Sequence, residues 1–171
     1  MINNLDLNLC FLLISVFTYR YFLHRFPELC ILAVPRGSDE PIGCVVGKID
    51  QEEIIAPHGV VQGTGAAVNG GGVGGIGGVM ETTIKVPTGY IGMLAVQSKY
   101  RRKGIGKALV RQVLKRMKDM GCTSVTLETE VSNVSAQRLY QNSFGFIREE
   151  LLVRYYLNWG DAYRLRLWLA Q

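Results

Sequence analysis

The chain has 171 residues, 48% of them in the set Ala, Val, Ile, Leu, Met, Phe, Trp, Tyr and Cys and 19% charged, with a formal net charge of +5. That length suits one domain of about 100–200 residues with a sizeable core. The apolar fraction excludes a chain disordered throughout, and the composition fits neither a collagen-like repeat nor a disulfide-rich secreted scaffold. The charge is uneven. Lys99 to Asp119 holds nine Lys and Arg against one acid, leaving ten of the 19 bases and 13 of the 14 acids to the rest.

Leu7 to Tyr19 is uncharged between Asp6 and Arg20. It is too short to cross a bilayer, which takes about 20 residues. Asp6, the lack of a basic leader region and the lack of a small-residue cleavage site argue against a secretory signal. The helical character of Leu7–His24 therefore predicts a buried helix. Leu29–Val34 and Ile42–Ile49 read as a β-hairpin around the turn Pro35–Asp39. The scattered cysteines, Cys10, Cys30, Cys44 and Cys122, form no CxxC pair. With only His24 and His58 beside them they suggest no metal site, and they read as buried thiols of a reducing compartment.

Residues 57–79 contain ten of the 20 glycines and no Asp, Glu, Lys or Arg. Such a run loses too much backbone entropy on ordering to form a core element, so it reads as a flexible insertion within one domain spanning residues 1–171. Its GxGxxG match, Gly72 to Gly77, is the chance product of a glycine tract and is set aside. Tyr90–Val96 follows as an apolar strand. From Gly104 the period is helical, with Ile105, Leu109, Val113 and Met117 four apart and Gly121 as the stop. Val125 and Leu127 alternate with Thr126 and Glu128 in a strand. A helix starts near Ser132–Ser135 and ends at Gly145. Phe146–Leu157 and Ala162–Leu169 form a last hairpin, with Tyr163, Leu165, Leu167 and Leu169 on one face. The order predicts a mixed α/β layer fold.

Arg101-Arg102-Lys103-Gly104-Ile105-Gly106-Lys107 lies between a strand and the basic helix. Glycines let backbone N–H groups approach a ligand, and a first helical turn leaves several donors unpaired. With the helix dipole and the flanking cations this makes an anion site. A Walker loop needs GxxxxGK[ST], which is absent, and a dinucleotide turn would want Gly or Ala at Leu109. A nucleic-acid surface is the alternative use of nine cations. What remains is R-x-x-G-x-G after Leu94-Ala95-Val96, and in this the sequence resembles the GNAT acetyltransferases.

Further runs resemble one branch of that superfamily, the NatC-type catalytic subunits of N-terminal acetyltransferases. They are Tyr19-Arg20-Tyr21-Phe22-Leu23, Pro27-Glu28-Leu29-Cys30, Gly89 to Val96, Leu127-Glu128-Thr129-Glu130, Leu139-Tyr140, Phe144-Gly145-Phe146, Arg154-Tyr155-Tyr156-Leu157-Asn158 and Asp161 to Leu165. The resemblance implies the GNAT acyl-CoA N-acyltransferase fold, a mixed central sheet flanked by helices. It implies acetyl transfer from acetyl-CoA to the N-terminal Met of nascent chains starting Met-hydrophobic. A large and a small auxiliary subunit, the ribosome and the cytoplasm complete the setting it implies, with no specific DNA binding. By the same likeness, Leu94, Ala95 and Val96 would hold the thioester arm, and Arg101, Arg102, Lys103, Gly104, Ile105, Gly106 and Lys107 the pyrophosphate. Asn133 would touch the pantetheine, Glu128 and Tyr140 would be catalytic, and Tyr90, Tyr155 and Tyr156 would hold the peptide.

Chemistry supports some of these roles independently. An α-amine has a pKa of about 7.7–8.0 and must lose a proton before it attacks, a task for a carboxylate acting directly or through water. Glu128 and Glu130 lie two apart, hence on one strand face, where neighbouring like charges are expected to raise one pKa. An ordinary solvated strand face fits the same pattern. Tyr140 suits protonation of a leaving thiolate, although a core aromatic fits as well. Tyr155 and Tyr156 are expected on opposite faces of their strand. Family members carry a further strand and helix ahead of this region, and a Ser-Glu-Pro-Tyr-like loop where this chain reads Leu9 to Phe17. The N-terminal part is therefore expected to be incomplete, and the acceptor pocket with it. The alternatives are a GNAT acting on lysine or a small molecule, and a catalytically silent acetyl-CoA-binding subunit.

Overall fold

The computed structural model describes residues 16–55 and 83–169. The part of the apolar run that precedes Val16 and the glycine-rich segment 57–79 lie outside the described residues. Helix α1 (Val16–Arg25) leads through a single turn, Pro27–Leu29, into β1 (Cys30–Ala33), β2 (Gly43–Ile55) and β3 (Thr83–Val96). Then come α2 (Ile105–Asp119), β4 (Ser124–Glu130), α3 (Val134–Phe144), β5 (Ile147–Leu152) and β6 (Ala162–Trp168). The six strands form one sheet in the order β1-β2-β3-β4-β6-β5. All neighbours are antiparallel except β3 and β4, which α2 joins as a crossover.

That one parallel pair shapes the molecule. It holds only from Thr88–Tyr90 to Ser124–Thr126, although β3 runs on to Val96 and β4 to Glu130. At the parting point the β2–β3 register steps from Val46↔Met93 to Gly47↔Ile91, so Gly92 is an extra residue in β3. A bulge bends its strand and increases the local twist, and here it steers β3 away from β4. A Cβ at Gly92 would lie 3.2 Å from the Phe22 ring, which places α1 directly over the bulge.

The main core lies on the other face, under α2. Its residues Leu109, Val110, Val113, Leu114 and Met117 are buried against Val45, Ile91, Val125, Leu127 and Leu165. Met117 sits so close to the sheet that a Cβ at Gly89 would stand 2.5 Å from its sulfur. Gly121 and Gly145 follow α2 and α3 with φ of 83° and 80°, in keeping with their expected place as helix stops. Tyr163, Leu167 and Leu169 pack on the same core as Leu165, so the alternation expected of the last strand is observed.

Two strands are longer than the sequence suggests. β2 and β3 extend to Ile55 and back to Thr83 because Gln51-Glu52-Glu53 continue the ladder although their side chains are mostly exposed. The last hairpin is shorter: β5 ends at Leu152, not Leu157. Arg154 and Trp159 adopt φ of 55° and 64°, which no extended strand accommodates. Asp161 Oδ1 accepts from the Arg154 N–H at 2.8 Å, and Asn158 Oδ1 from the Gly160 N–H at 3.1 Å. These short side chains offer the backbone a turn in place of a ladder. Tyr155 and Tyr156 therefore occupy a turn, edge to face at 5.2 Å, rather than opposite faces of a strand.

A polar cluster ties five strands together on the side of the sheet away from α2. Arg166 of β6 donates to both oxygens of Glu52 at 2.7 and 2.9 Å, to Glu149 at 2.6 Å and to Ser124 Oγ at 3.0 Å. Thr88 donates to the same Glu52 at 3.0 Å. The hydrogen bonds from Arg166 hold the Glu52 carboxyl below its ordinary value, with Thr88 assisting. A group whose folded pKa is lowered contributes stability above its unfolded pKa, about 4.3, and that contribution goes as pH falls through the lowered folded value. Arg166→Met is expected to cost about 2 kcal/mol at pH 7, below the 3–5 of a fully buried pair. The carboxylates, about one-third exposed, can rehydrate. Urea unfolding should also show a shallower loss of stability below pH 4.3 for this variant than for the wild type.

Candidate active site

The diverging ends of β3 and β4 open a cleft, and the chain puts two kinds of chemistry at its edges. On β4, Glu128 has a side chain only 8% exposed. Its Oε2 accepts from the Tyr90 hydroxyl at 2.7 Å, and its Oε1 from Arg164 Nε at 3.2 Å. Tyr90 is the last β3 residue paired with β4, so its ring stands where the strands part. The Tyr155 hydroxyl interacts with both Tyr90 and Glu128, bringing the β5–β6 turn to the same carboxylate. Burial first, and then the Glu128 charge, push both phenols above their ordinary value. They stay protonated at neutral pH and serve as hydrogen-bond donors. Lys48 Nζ covers the other side of the Tyr90 ring at 5.2 Å and pairs with Asp50 at 2.6 Å.

The sequence pattern suggests that Glu130 acts on Glu128. The structure surrounds Glu128 with a cation and two hydroxyls instead. Glu130 reaches toward the β5–β6 turn, with Oε1 3.3 Å from the Cβ position of Gly160.

At the other edge, the segment from Gln97 to Gly104 folds as a tight turn, Ser98–Tyr100, followed by two residues with positive φ, Arg102 at 63° and Gly104 at 83°. Gly104 is the N-cap of α2, has no side-chain cap and stands in open space. The first-turn N–H groups of Ile105, Gly106 and Lys107 are therefore left to a ligand. Gly106 faces inward: a Cβ there would lie 3.8 Å from Leu94 and Val96 and 3.9 Å from Leu139 of α3. Arg101 braces the loop by donating to the Val96 carbonyl at 3.0 Å. The first turn, Arg102, Lys103 and Lys107 together can hold an anionic group.

Of the residues singled out from sequence, Tyr90, Glu128 and Tyr155 meet at one carboxylate. Leu94, Val96 and Gly106 meet at the loop. Ala95 pairs with Cys44 on the β2 side. Asn133 caps α3, its Oδ1 accepting from the Ala136 N–H at 3.1 Å. Tyr140 lies in the main core, 5% exposed, with its ring edge-on to Phe146 at 5.5 Å. Tyr156 stays in the turn against Tyr155. Cys122 is buried, its thiol pushed up to about 11, so it is no nucleophile at neutral pH.

Two contributors do not stand out in the sequence. Tyr100 sits among the loop cations with Lys99 and Lys103 over its ring at 5.1 and 5.4 Å. Arg164 directly faces Glu128 across the β4–β6 pair. Its signal is the alternation Arg164, Arg166 on the polar side of a strand whose other side is apolar.

A bulge-splayed sheet whose third strand feeds a glycine turn and a basic helix is the architecture of an acyl-CoA N-acyltransferase. The Acetyltransferase (GNAT) family model matches residues 8–146. N-alpha-acetyltransferase 30 of Xenopus laevis is 41% identical over 155 residues, 91% of this chain but 45% of its own length. N-alpha-acetyltransferase 30 of Saccharomyces cerevisiae is 40% identical over 160 residues, 92% of this chain and 73% of its own length. The crystal structure of the NatC complex bound to Gag peptide and CoA contains a chain 40% identical, with TM-score 0.68 over 91% of this chain and 80% of that chain. The chain thus belongs to the GNAT acetyltransferase family. It spans less than half the length of the Xenopus relative.

Proposed function

We propose that the protein is a NatC-type N-terminal acetyltransferase that moves acetyl from acetyl-CoA to the α-amine of chains beginning Met-hydrophobic. The observation that carries this reading is the Tyr90–Glu128–Tyr155 cluster, standing at the parting of β3 and β4 with the anion loop on the other side of the gap. The 40% identity to the NatC chain supports the choice within the family.

The residues present fit acetyl-CoA. When bound, it supplies the acyl group as an activated thioester. The open space at Gly104 and the first-turn N–H groups suit its phosphates, with Arg102, Lys103 and Lys107 as counter-charges. Leu94, Ala95 and Val96 lie beyond the last β3–β4 pair, so β4 does not take up this stretch and, with the Val96 carbonyl held by Arg101, its remaining backbone groups can orient the thioester arm. Backbone donors there would face the acyl oxygen, where preorganised N–H groups are most effective. Asn133, at the head of α3, is the reading for the pantetheine contact.

Glu128 Oε2 accepts the proton that the substrate ammonium must lose, directly or through water. Tyr90 and Tyr155 hold the carboxylate with their hydroxyl hydrogens, and their oxygens can accept from backbone N–H groups of the peptide, with Tyr156 beside them. Tyr140 Oη is the proposed proton donor to the departing thiolate. No covalent bond to the enzyme is needed. Auxiliary subunits, a ribosome surface met by the outward cations of α2 and a cytoplasmic location belong to the same reading.

A panel of peptides assayed by CoA release tests it. Met-Leu and Met-Ile N-termini should be acetylated, and the same peptides with blocked α-amines should not. No turnover on any free N-terminus, with auxiliary subunits present, would overturn the proposal. Cofactor binding without turnover would instead mark a silent subunit.

A further inference from the structure

The register between β5 and β6 skips one residue: Arg148 faces Leu165, and Glu150 faces Arg164. Consecutive strand residues ordinarily point to opposite faces, but a bulge lets two neighbours share one. Here both Glu149 and Glu150 reach arginines of β6. Glu149 Oε1 accepts from Arg166 Nε at 2.6 Å, and Glu150 Oε2 from Arg164 Nη1 at 2.9 Å. Arg164 aims its Nε at Glu128, 3.2 Å away. Exposure falls inward along this line, from 53% for the Glu150 side chain to 36% for Arg164 and 8% for Glu128.

We propose that Arg164 is a positioning residue for acetyl transfer, fixing the Glu128 carboxylate through Nε while Glu150 anchors the far end of its guanidinium. The inference rests on the acetyltransferase reading above. A guanidinium is planar and presents its donors in a fixed fork, so engaging two carboxylates through Nε and Nη1 sets its plane. With Oε1 held by Arg164, Oε2 is the oxygen turned to Tyr90 and the cleft. The other groups facing Glu128 are Tyr90 from β3 and Tyr155 from the β5–β6 turn, with Glu130 next on its own strand face. Arg164 is the cation of this set. A lysine would keep the charge and lose the fork.

The test compares Arg164→Gln, Arg164→Lys, Glu150→Gln and Glu128→Gln with the wild type on a Met-Leu peptide. Arg164→Gln should lower kcat about ten- to hundredfold through misplacement of the base, with little change in KM. It should also move the acid limb of the kcat–pH profile upward, since losing a neighbouring cation disfavours an ionised carboxylate. Arg164→Lys should return the limb to its place and recover only part of kcat. Glu150→Gln should lower kcat mildly without moving the limb. A purely structural arginine would change Tm and leave the profile in place, and that result overturns the proposal. The Tm shifts of Arg164→Gln and Glu128→Gln should be non-additive in the double variant; additive shifts in an active enzyme overturn the pairing alone. A wild type that acetylates no peptide ends the acetyltransferase reading, and the role with it.

Discussion

Glu128→Gln is expected to lower kcat for a Met-Leu peptide by about 10²- to 10⁴-fold, the usual contribution of a positioned general base. Glutamine keeps the shape of the side chain, and its amide oxygen can still accept from Arg164 or Tyr90. What it loses is the charge and the capacity to take a proton. Acetyl-CoA affinity should be unchanged, because the anion loop and the base stand on opposite sides of the gap between β3 and β4. Titration calorimetry beside steady-state kinetics separates the two. A Glu128→Gln variant with wild-type kcat would remove Glu128 from the chemistry.

The second large effect is expected at the loop. Gly106→Leu should weaken acetyl-CoA binding at least about a hundredfold, or about 2.7 kcal/mol. A Cβ alone fits there with ordinary contacts of 3.8–3.9 Å to Leu94, Val96 and Leu139. The rest of a leucine would project into the space between α2, β3 and α3 proposed for the cofactor. Gly106→Ala is the matched control. It should bind nearly as the wild type does, with equal or higher Tm, because Ala in a helix is favoured over Gly by about 0.8–1.0 kcal/mol. If Gly106→Leu binds acetyl-CoA like the wild type, the cofactor lies elsewhere.

Much of this molecule is legible in its residues, and the illegible part has physical causes. The basic helix announces itself through Leu109, Val113 and Met117 at helical spacing, and both glycine stops lie at the expected helix ends. The R-x-x-G-x-G loop reveals its chemistry because glycine at a helix start leaves donors that need an anion. The bulge at Gly92 is hidden, since a bulge is a property of register between two strands and not of either one. With it goes the cause of the cleft. The β5–β6 turn reads as strand because Tyr155 and Tyr156 have strand-forming side chains. The turn is fixed by Asp161 and Asn158, whose side chains bond to backbone N–H groups nearby. Arg164 is inconspicuous for a similar reason: its importance lies in facing Glu128 from another strand, 36 residues away.

The charge distribution has the same lesson. Nine cations between Lys99 and Asp119 admit a nucleic-acid surface. The fold divides their labour. Arg101 braces Val96, Arg116 donates to the Glu28 carbonyl, and Lys115 pairs with Asp119 at 2.7 Å. Of the other six, Arg102, Lys103 and Lys107 stand around the open N-terminus of α2, where the proposed phosphate group would sit.

The proposed acceptor is an α-amine, and the position of the transferred acetyl group tests it. A peptide beginning Met-Leu and carrying one internal lysine is incubated with acetyl-CoA, the chain and the auxiliary subunits proposed for it, and the acetyl group is located by tandem mass spectrometry. An α-amine acceptor predicts acetyl on the N-terminal nitrogen alone. Acetyl on the lysine Nζ with the α-amine untouched would contradict it.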